Sequence, residues 1–197
     1  IEEKAFGPDH PELSITLSNF GTLYNELGEY SKAKPLYERA LAIDEKALGR
    51  NHPDVGIGLN NLGLLYYEIG DYDKAESLFN RALVVWEKSL GADHPNVASA
   101  VGNLGSLYDE LGEYSKAEPL IERALAIEEK AFGPDHPDVG LRLNNLGWLY
   151  YNLGDYDKAE PLYKRALEIS EKALGPDHPR VVTIMSNIKS MQKKQFN

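Results

Sequence analysis

His10, His52, His94, His136 and His178 are the histidines of this 197-residue chain, and each follows an Asp or Asn and precedes a proline. Histidine beside a carboxylate is material for metal sites and for general-base catalysis, so these are the first candidates for chemistry. Their spacing argues against it. Successive copies lie 42 residues apart, in phrases such as Gly49-Arg50-Asn51-His52-Pro53 and Gly133-Pro134-Asp135-His136-Pro137. With one histidine per repeat and helices roughly 8 to 10 Å apart, neighbouring imidazoles cannot share an ion whose ligand bonds are about 2 Å. A residue before proline avoids the helical region, so each histidine is expected to be an N-cap with proline at the first helical position. A catalytic residue is needed once, whereas a joint is needed in every repeat. A hydrolase acting through these histidines is a reading kept only for testing.

The elements around the phrase repeat with it. Between Pro53 and Pro95, Val55, Leu59, Leu62, Tyr66 and Ile69 recur at spacings of three and four, which predicts an amphipathic first helix ended by Gly70. Asp73 is the expected N-cap of a second helix carrying Ala75, Leu78, Phe79, Ala82, Leu83, Val85 and Trp86, which runs to about Leu90 and ends at Gly91 in a left-handed cap. Ser31, Ser115 and Asp157 take the same capping place in the other copies, which puts Pro35, Pro119 and Pro161 near the first turn, where few hydrogen bonds are lost. Gly21, Gly63, Gly105 and Gly147 face Ala33, Ala75, Ala117 and Ala159, small residues that let the two helices approach closely. Tyr37, Phe79, Ile121 and Tyr163 fill the space beside them.

This order, Leu-Gly-x-x-Tyr, then Gly-x-Tyr-x-x-Ala, then a bulky residue, then Ala, resembles the tetratricopeptide repeat. The usual unit has 34 residues; the longer period here adds about two turns at 3.6 residues each to the second helix and is similar to the variety found in kinesin light chains. The resemblance covers essentially the whole chain. It implies an all-α, right-handed superhelical solenoid of antiparallel helix-turn-helix hairpins. On this reading residues 1–197 form one array. Residues 1–7 are the tail of a preceding second helix, the hairpins span 12–49, 54–91, 96–133 and 138–175, and 180–196 form a capping helix. That last helix carries Lys189 at the contact glycine's place and Gln192 at the tyrosine's, with Val181, Ile184, Met185, Ile188 and Met191 on its apolar side. Hairpins one and three share GEYSKA, hairpins two and four share GDYDKAE, as in a duplicated two-repeat block.

Composition limits the partners. A formal charge of −10 disfavours nucleic acid and anionic membrane surfaces, which it repels. The absence of cysteine fits a reducing, cytoplasmic setting, and no apolar run approaches a membrane span. No signal peptide is visible. The opening IEEKAFGPDHP recurs at residues 127–137, as expected of a chain that has lost its natural N-terminus. Phosphate-binding, dinucleotide-binding, nucleophile-elbow and HExxH motifs are absent, so no catalytic residue, metal or cofactor is expected.

What remains is a surface. The resemblance implies that first helices line a concave groove. Leu64 and Tyr67 in hairpin two, and Trp148 and Tyr151 in hairpin four, form a second stripe beside the core stripe, while hairpins one and three carry Ser18, Thr22, Asn25 and Gly102, Ser106, Asp109 there. A helix apolar on two sides is either buried or awaits a partner, so the rings either anchor a ligand or pack between first helices. Asn19, Asn61, Asn103, Asn145 and Asn187 form a polar ladder. An amide both donates and accepts, so each either holds a peptide backbone, as the resemblance implies for this motif position, or bonds a neighbouring helix. Among basic residues before His178, only Arg142 lies in a first helix, while Glu26, Glu68, Asp109 and Glu110 also do. The expected ligand is a neutral or basic protein or peptide with apolar or aromatic anchors. The leading expectation is a noncatalytic scaffold for protein binding; self-association is open. The alternative is an architectural spacer or self-assembling array, as a fragment of a larger regulatory protein or a consensus-derived engineered one.

Overall fold

The computed structural model describes residues 10–195. Among these, the chain forms nine α-helices: α1 (Pro11–Glu26), α2 (Tyr30–Leu48), α3 (Pro53–Ile69), α4 (Tyr72–Leu90), α5 (Pro95–Glu110), α6 (Tyr114–Phe132), α7 (Pro137–Leu153), α8 (Tyr156–Leu174) and α9 (Pro179–Gln195). The expected tail at 1–7 lies outside the described residues, as does residue 196. The contacts divide into two units, Ile1–Ala100 and Val101–Asn197, with the boundary inside α5. In the first unit α1 pairs with α2 and α3 with α4, and α2 packs on α3; in the second α7 pairs with α8, while α6 packs on α7 and α8 on α9.

The joints are built as the proline rule requires. His10, His52 and His136 are N-caps with φ near −73° and extended ψ, each followed by proline. Each imidazole Nδ1 accepts from the backbone N–H two residues on, at 3.3 Å from Glu12, Asp54 and Asp138. His94 and His178 do the same for Asn96 and Arg180, at 3.1 and 3.2 Å. One otherwise orphaned helix N–H is satisfied at every joint.

The second helices start two residues earlier than their best-looking caps. Asp71 and Asp155 are the caps of α4 and α8, accepting from the Lys74 and Lys158 N–H at 3.4 and 3.3 Å. In α2 and α6 the cap is Glu29 or Glu113, whose side chain makes no capping bond. The GDYDKAE and GEYSKA alternation is therefore an alternation of capped and uncapped starts. Asp73, Ser31, Ser115 and Asp157 lie within the first turn instead. Pro35, Pro119 and Pro161 consequently lie past that turn, inside their helices, and each lacks the N–H that would bond the carbonyl four residues back. Gly70 ends α3 in the left-handed region as expected (φ 83°, ψ 13°). Gly91 departs from expectation, with φ 91° and ψ 158°, a mirror-extended conformation that is essentially glycine's alone.

The two helices of a hairpin meet at the contact glycines. A Cβ added to Gly63 would lie 2.6 Å from the Phe79 ring, one on Gly147 2.9 Å from Tyr163, and one on Gly21 2.9 Å from Tyr37. Those bulky residues and the alanines beside them are buried to within a few per cent. In α9, Val181, Ile184 and Met191 are buried, but Met185 is exposed. Ile69, at the end of α3, is also exposed. On the second-helix side Glu45 of α2 pairs with Arg81 of α4, and Glu129 of α6 with Arg165 of α8 at 2.7 Å.

Gly63→Ala forces the Phe79 ring aside and is expected to destabilise the first unit by about 1–3 kcal/mol; an unchanged urea midpoint would contradict the close contact. His136→Ala is expected to cost about 1 kcal/mol and His136→Asn to recover most of it, as capping demands. Thermal melts of the two variants separate a cap from a metal or catalytic role, which asparagine would not rescue.

Candidate functional site

In the first unit a cleft of about 480 Å³ opens between α1 and α3, with the end of α2 as its floor. Asn19 and Asn61, the ladder residues of consecutive hairpins, both line it. Their side chains make no hydrogen bond among the described residues, so donor and acceptor are available together at this face. Ile15 and Ile57, which also line the cleft, are 64% and 46% exposed. Among the described residues the charged ones that line it are Glu12, Asp44 and Asp54, with no Lys or Arg.

Asp44 belongs to the second helix and is 9% exposed. Burial holds its carboxyl above the usual range; the hydrogen bond with Ser14 works the other way, Asp54 adds to the rise and His52 opposes it. Sequence reasoning missed this residue because attention went to first helices. The signal was present in register. The positions equivalent to 44 are Trp86, Glu128 and Ser170, a change of chemical class at each copy among near-identical neighbours.

Each of these residues settles its burial differently. Trp86 donates from its indole N–H to the Pro53 carbonyl at 2.9 Å and lies against Gly56. Glu128 takes both arms of Arg142, Nε to Oε2 at 3.2 Å and Nη2 to Oε1 at 2.7 Å. Ser170 lies beside Gly140. This changes the reading of Arg142. It is 7% exposed, lies against Gly102, and spends its charge on a buried carboxylate rather than offering it to a ligand. A lone cation in an otherwise acidic set of first helices reads as a groove residue only while its partner, fourteen positions away on the preceding helix, is unknown.

The second unit has its own cleft of about 360 Å³ between α7 and α9, lined by Asn144, Asn145, Ser170, Arg180 and Ile184 among others. Asn145 makes no side-chain hydrogen bond among the described residues. Asn187 does bond a neighbouring helix, its Nδ2 donating to the side-chain Oδ1 of Asn144 at 3.0 Å. Of the two roles that the sequence left open, Asn187 takes the bond to a neighbouring helix, and Asn19, Asn61 and Asn145 do not. Asn103 on α5 is half-buried and has a partner of its own.

The aromatic stripe splits as well. Trp148 is 38% exposed and stacks on Tyr151 at 5.1 Å between centroids. Tyr151 also tilts against Tyr156 at 6.0 Å, packs on the core of its unit, and has the Lys194 ammonium of α9 over its ring at 4.9 Å. Leu64 and Tyr67 on α3 are half-buried, with Tyr67 tilted against Tyr72 at 5.7 Å. In the two remaining hairpins the stripe bonds internally: Thr22 accepts from the Tyr37 hydroxyl at 3.0 Å and Asp109 accepts from the Asn152 amide at 3.4 Å. Among the described residues no three His, Asp or Glu side chains converge as a metal-ligand set, and no helix is long and apolar enough to cross a membrane.

The family model for the tetratricopeptide repeat matches residues 1–46, 32–83, 54–127, 110–172 and 143–196. Among solved structures, BtubC (BKLC) from P. vanneervenii is 31% identical, with a TM-score of 0.73 over 86% of this chain and 68% of that one. Nearly identical TPR-like repeats of kinesin-light-chain type from Podosopora anserina superpose with a TM-score of 0.73 at 22% identity, over 94% of this chain and 98% of that one. A variant of them reaches 0.76 at 23% identity, over 93% and 87%. At such identities the likeness concerns the fold alone. No curated protein matches the chain.

An acid whose pKa is higher folded than unfolded gives its full contribution to stability below the unfolded value, 3.8 for Asp44, and loses it as pH rises through the folded value. The burial penalty of ionised Asp44 therefore comes into force as the pH rises above 3.8 and through the folded value. Asp44→Asn is expected to melt above the parent at neutral pH, with the gap closing as the pH falls towards 3.8; a gap that stays constant from neutral pH down to that value would contradict the assignment.

Proposed function

Because this chain belongs to the tetratricopeptide repeat family, whose repeats generally mediate protein–protein interactions, we propose that it is a noncatalytic scaffold that binds an extended peptide or helix of another protein along its first helices. The observation that carries this reading is that both clefts are lined mainly from first helices and that the ladder asparagines in them, Asn19 and Asn61 in the first and Asn145 in the second, make no side-chain hydrogen bond among the described residues. An amide that bonds neither its own helix nor a neighbour is suited to an incoming main chain, which needs a donor and an acceptor in register.

The chemistry of the surface selects the ligand. The first-unit cleft is acidic with an apolar rim, and Arg142, the one cation that first helices contribute before the capping helix, is held by Glu128. A basic or neutral segment with apolar or aromatic anchors fits; an acidic segment meets repulsion in the first unit. In the second unit the exposed face of Trp148, braced by Tyr151, is the best-formed anchor point, since a ring already held by its neighbour loses little freedom on binding.

The test is a peptide-display screen against the whole chain, with the double variant Trp148→Ala/Tyr151→Ala as counter-screen. Selected peptides are expected to bind the parent and to lose affinity for the variant by about tenfold or more, while circular dichroism and sedimentation stay unchanged. A screen that enriches no peptide would overturn the proposal. So would a variant that unfolds, because the rings would then be core.

A further inference from the structure

The two-repeat duplication lets the first unit be compared, position by position, with the second. Asp44 corresponds to Glu128, Gly58 to Arg142 and Ser18 to Gly102, each pair 84 residues apart. In the second unit the Arg142 guanidinium lies against Gly102, where no Cβ could fit, and is fixed by Glu128 through two nitrogen–oxygen contacts. In the first unit the same place holds an acid and, among the described residues, no cation. Gly58 offers no side chain, Ser18 lines the wall, and the space the arginine fills elsewhere belongs to the 480 Å³ cleft.

We propose that this cleft is a receptor for an arginine side chain of a partner protein, which seats its guanidinium on Asp44 as Arg142 seats on Glu128. The inference rests on the reading of first helices as a peptide-binding face and names the side chain that one part of that face takes.

Three features beyond the correspondence support it. Asp44 is almost fully buried, and a buried carboxylate is held at a cost unless a cation and hydrogen bonds compensate it. Ser14 supplies one hydrogen bond; Glu12 and Asp54 face the same cleft and raise the demand for positive charge. The rim is built for a side chain with an apolar stem: Ile15, Leu48 and Ile57 line the cleft and are exposed, so methylenes can lie on them while the charged head reaches the floor. Asn19 on α1 and Asn61 on α3 stand on the two facing walls with amides that make no hydrogen bond among the described residues, placed for the main chain on either side of such an arginine. The planar fork is preferred to an ammonium because its counterpart in the second unit engages by Nε and Nη2 together.

The probe is a fluorescein-labelled, amidated pentapeptide Ala-Ile-Arg-Ile-Ala, with citrulline and lysine versions of the same sequence, titrated into the whole chain by anisotropy. The arginine peptide is expected to bind at least tenfold more tightly than the neutral citrulline peptide and severalfold more tightly than the lysine peptide, with affinity falling as salt rises. Asp44→Asn is expected to remove the difference between arginine and citrulline. The triple change Ser18→Gly/Asp44→Glu/Gly58→Arg rebuilds the second unit's plug, so it should fold, and it should bind the arginine peptide no better than citrulline. Equal binding of arginine and citrulline peptides, equal binding of arginine and lysine peptides, or undiminished binding by the plugged variant would each overturn the proposal. If the display screen enriches peptides without arginine that need Trp148 and Tyr151, the scaffold reading stands and this one falls. If neither the screen nor the probe gives binding, both fall.

Discussion

The contact between a first-helix glycine and a second-helix ring is the constraint on which each hairpin depends. Where Gly63 meets Phe79, or Gly147 meets Tyr163, a single added methyl group would collide with a buried aromatic side chain. That closeness fixes the crossing point of the two helices and aligns the alanines beside the ring. It also sets which residues of the first helix face inward and which are left for the outer stripe. The histidine-proline joint then fixes where the next first helix begins, so its stripe returns in register. The outward side chains of α1 and α3 come together because the inward ones have no freedom.

A frame this repetitive makes the exceptions readable. At position 44 and its equivalents the same buried place under the first helices is filled in four ways: by a carboxylate with a serine, an indole bonded to a carbonyl, an ion pair and a small hydroxyl. Two of these, the indole and the ion pair, are complete within the described residues. Asp44 is a carboxylate with no cation beside it among the described residues, and it lies beneath the larger of the two clefts described. Sites that carry an internal cost in an otherwise consistent fold are where function is to be sought, since the cost is removed only when the partner arrives.

The hairpin plan was legible in the sequence because it follows from local rules that repeat. Proline after histidine excludes a helical histidine, glycine every 42 residues marks the contact, and periodicity separates the helices. Capping was legible only in part. Asp73 and Ser31 look like better caps than the residues two before them, yet the second helices start earlier, because the Glu29 and Asp71 carbonyls already accept helical bonds from Ala33 and Ala75. The site was the least legible. Whether an arginine is available depends on a carboxylate on another helix, as Arg142 and Glu128 show. Whether Asn187 or Asn145 is free depends on the reach of the neighbouring first helix, which no single-repeat pattern encodes.

The proposed binding role belongs to the first helices, while the second helices carry the frame and the solvated charge. The most direct test is a backbone-amide NMR map of the chain titrated with the tightest peptide from the display screen. If first helices take the ligand, shifts concentrate in α1, α3 and α7, around Asn19, Gly58, Asn61, Asn145 and Trp148. Shifts confined to the exposed faces of α2, α4, α6 and α8, around the Glu45–Arg81 and Glu129–Arg165 pairs, would contradict it.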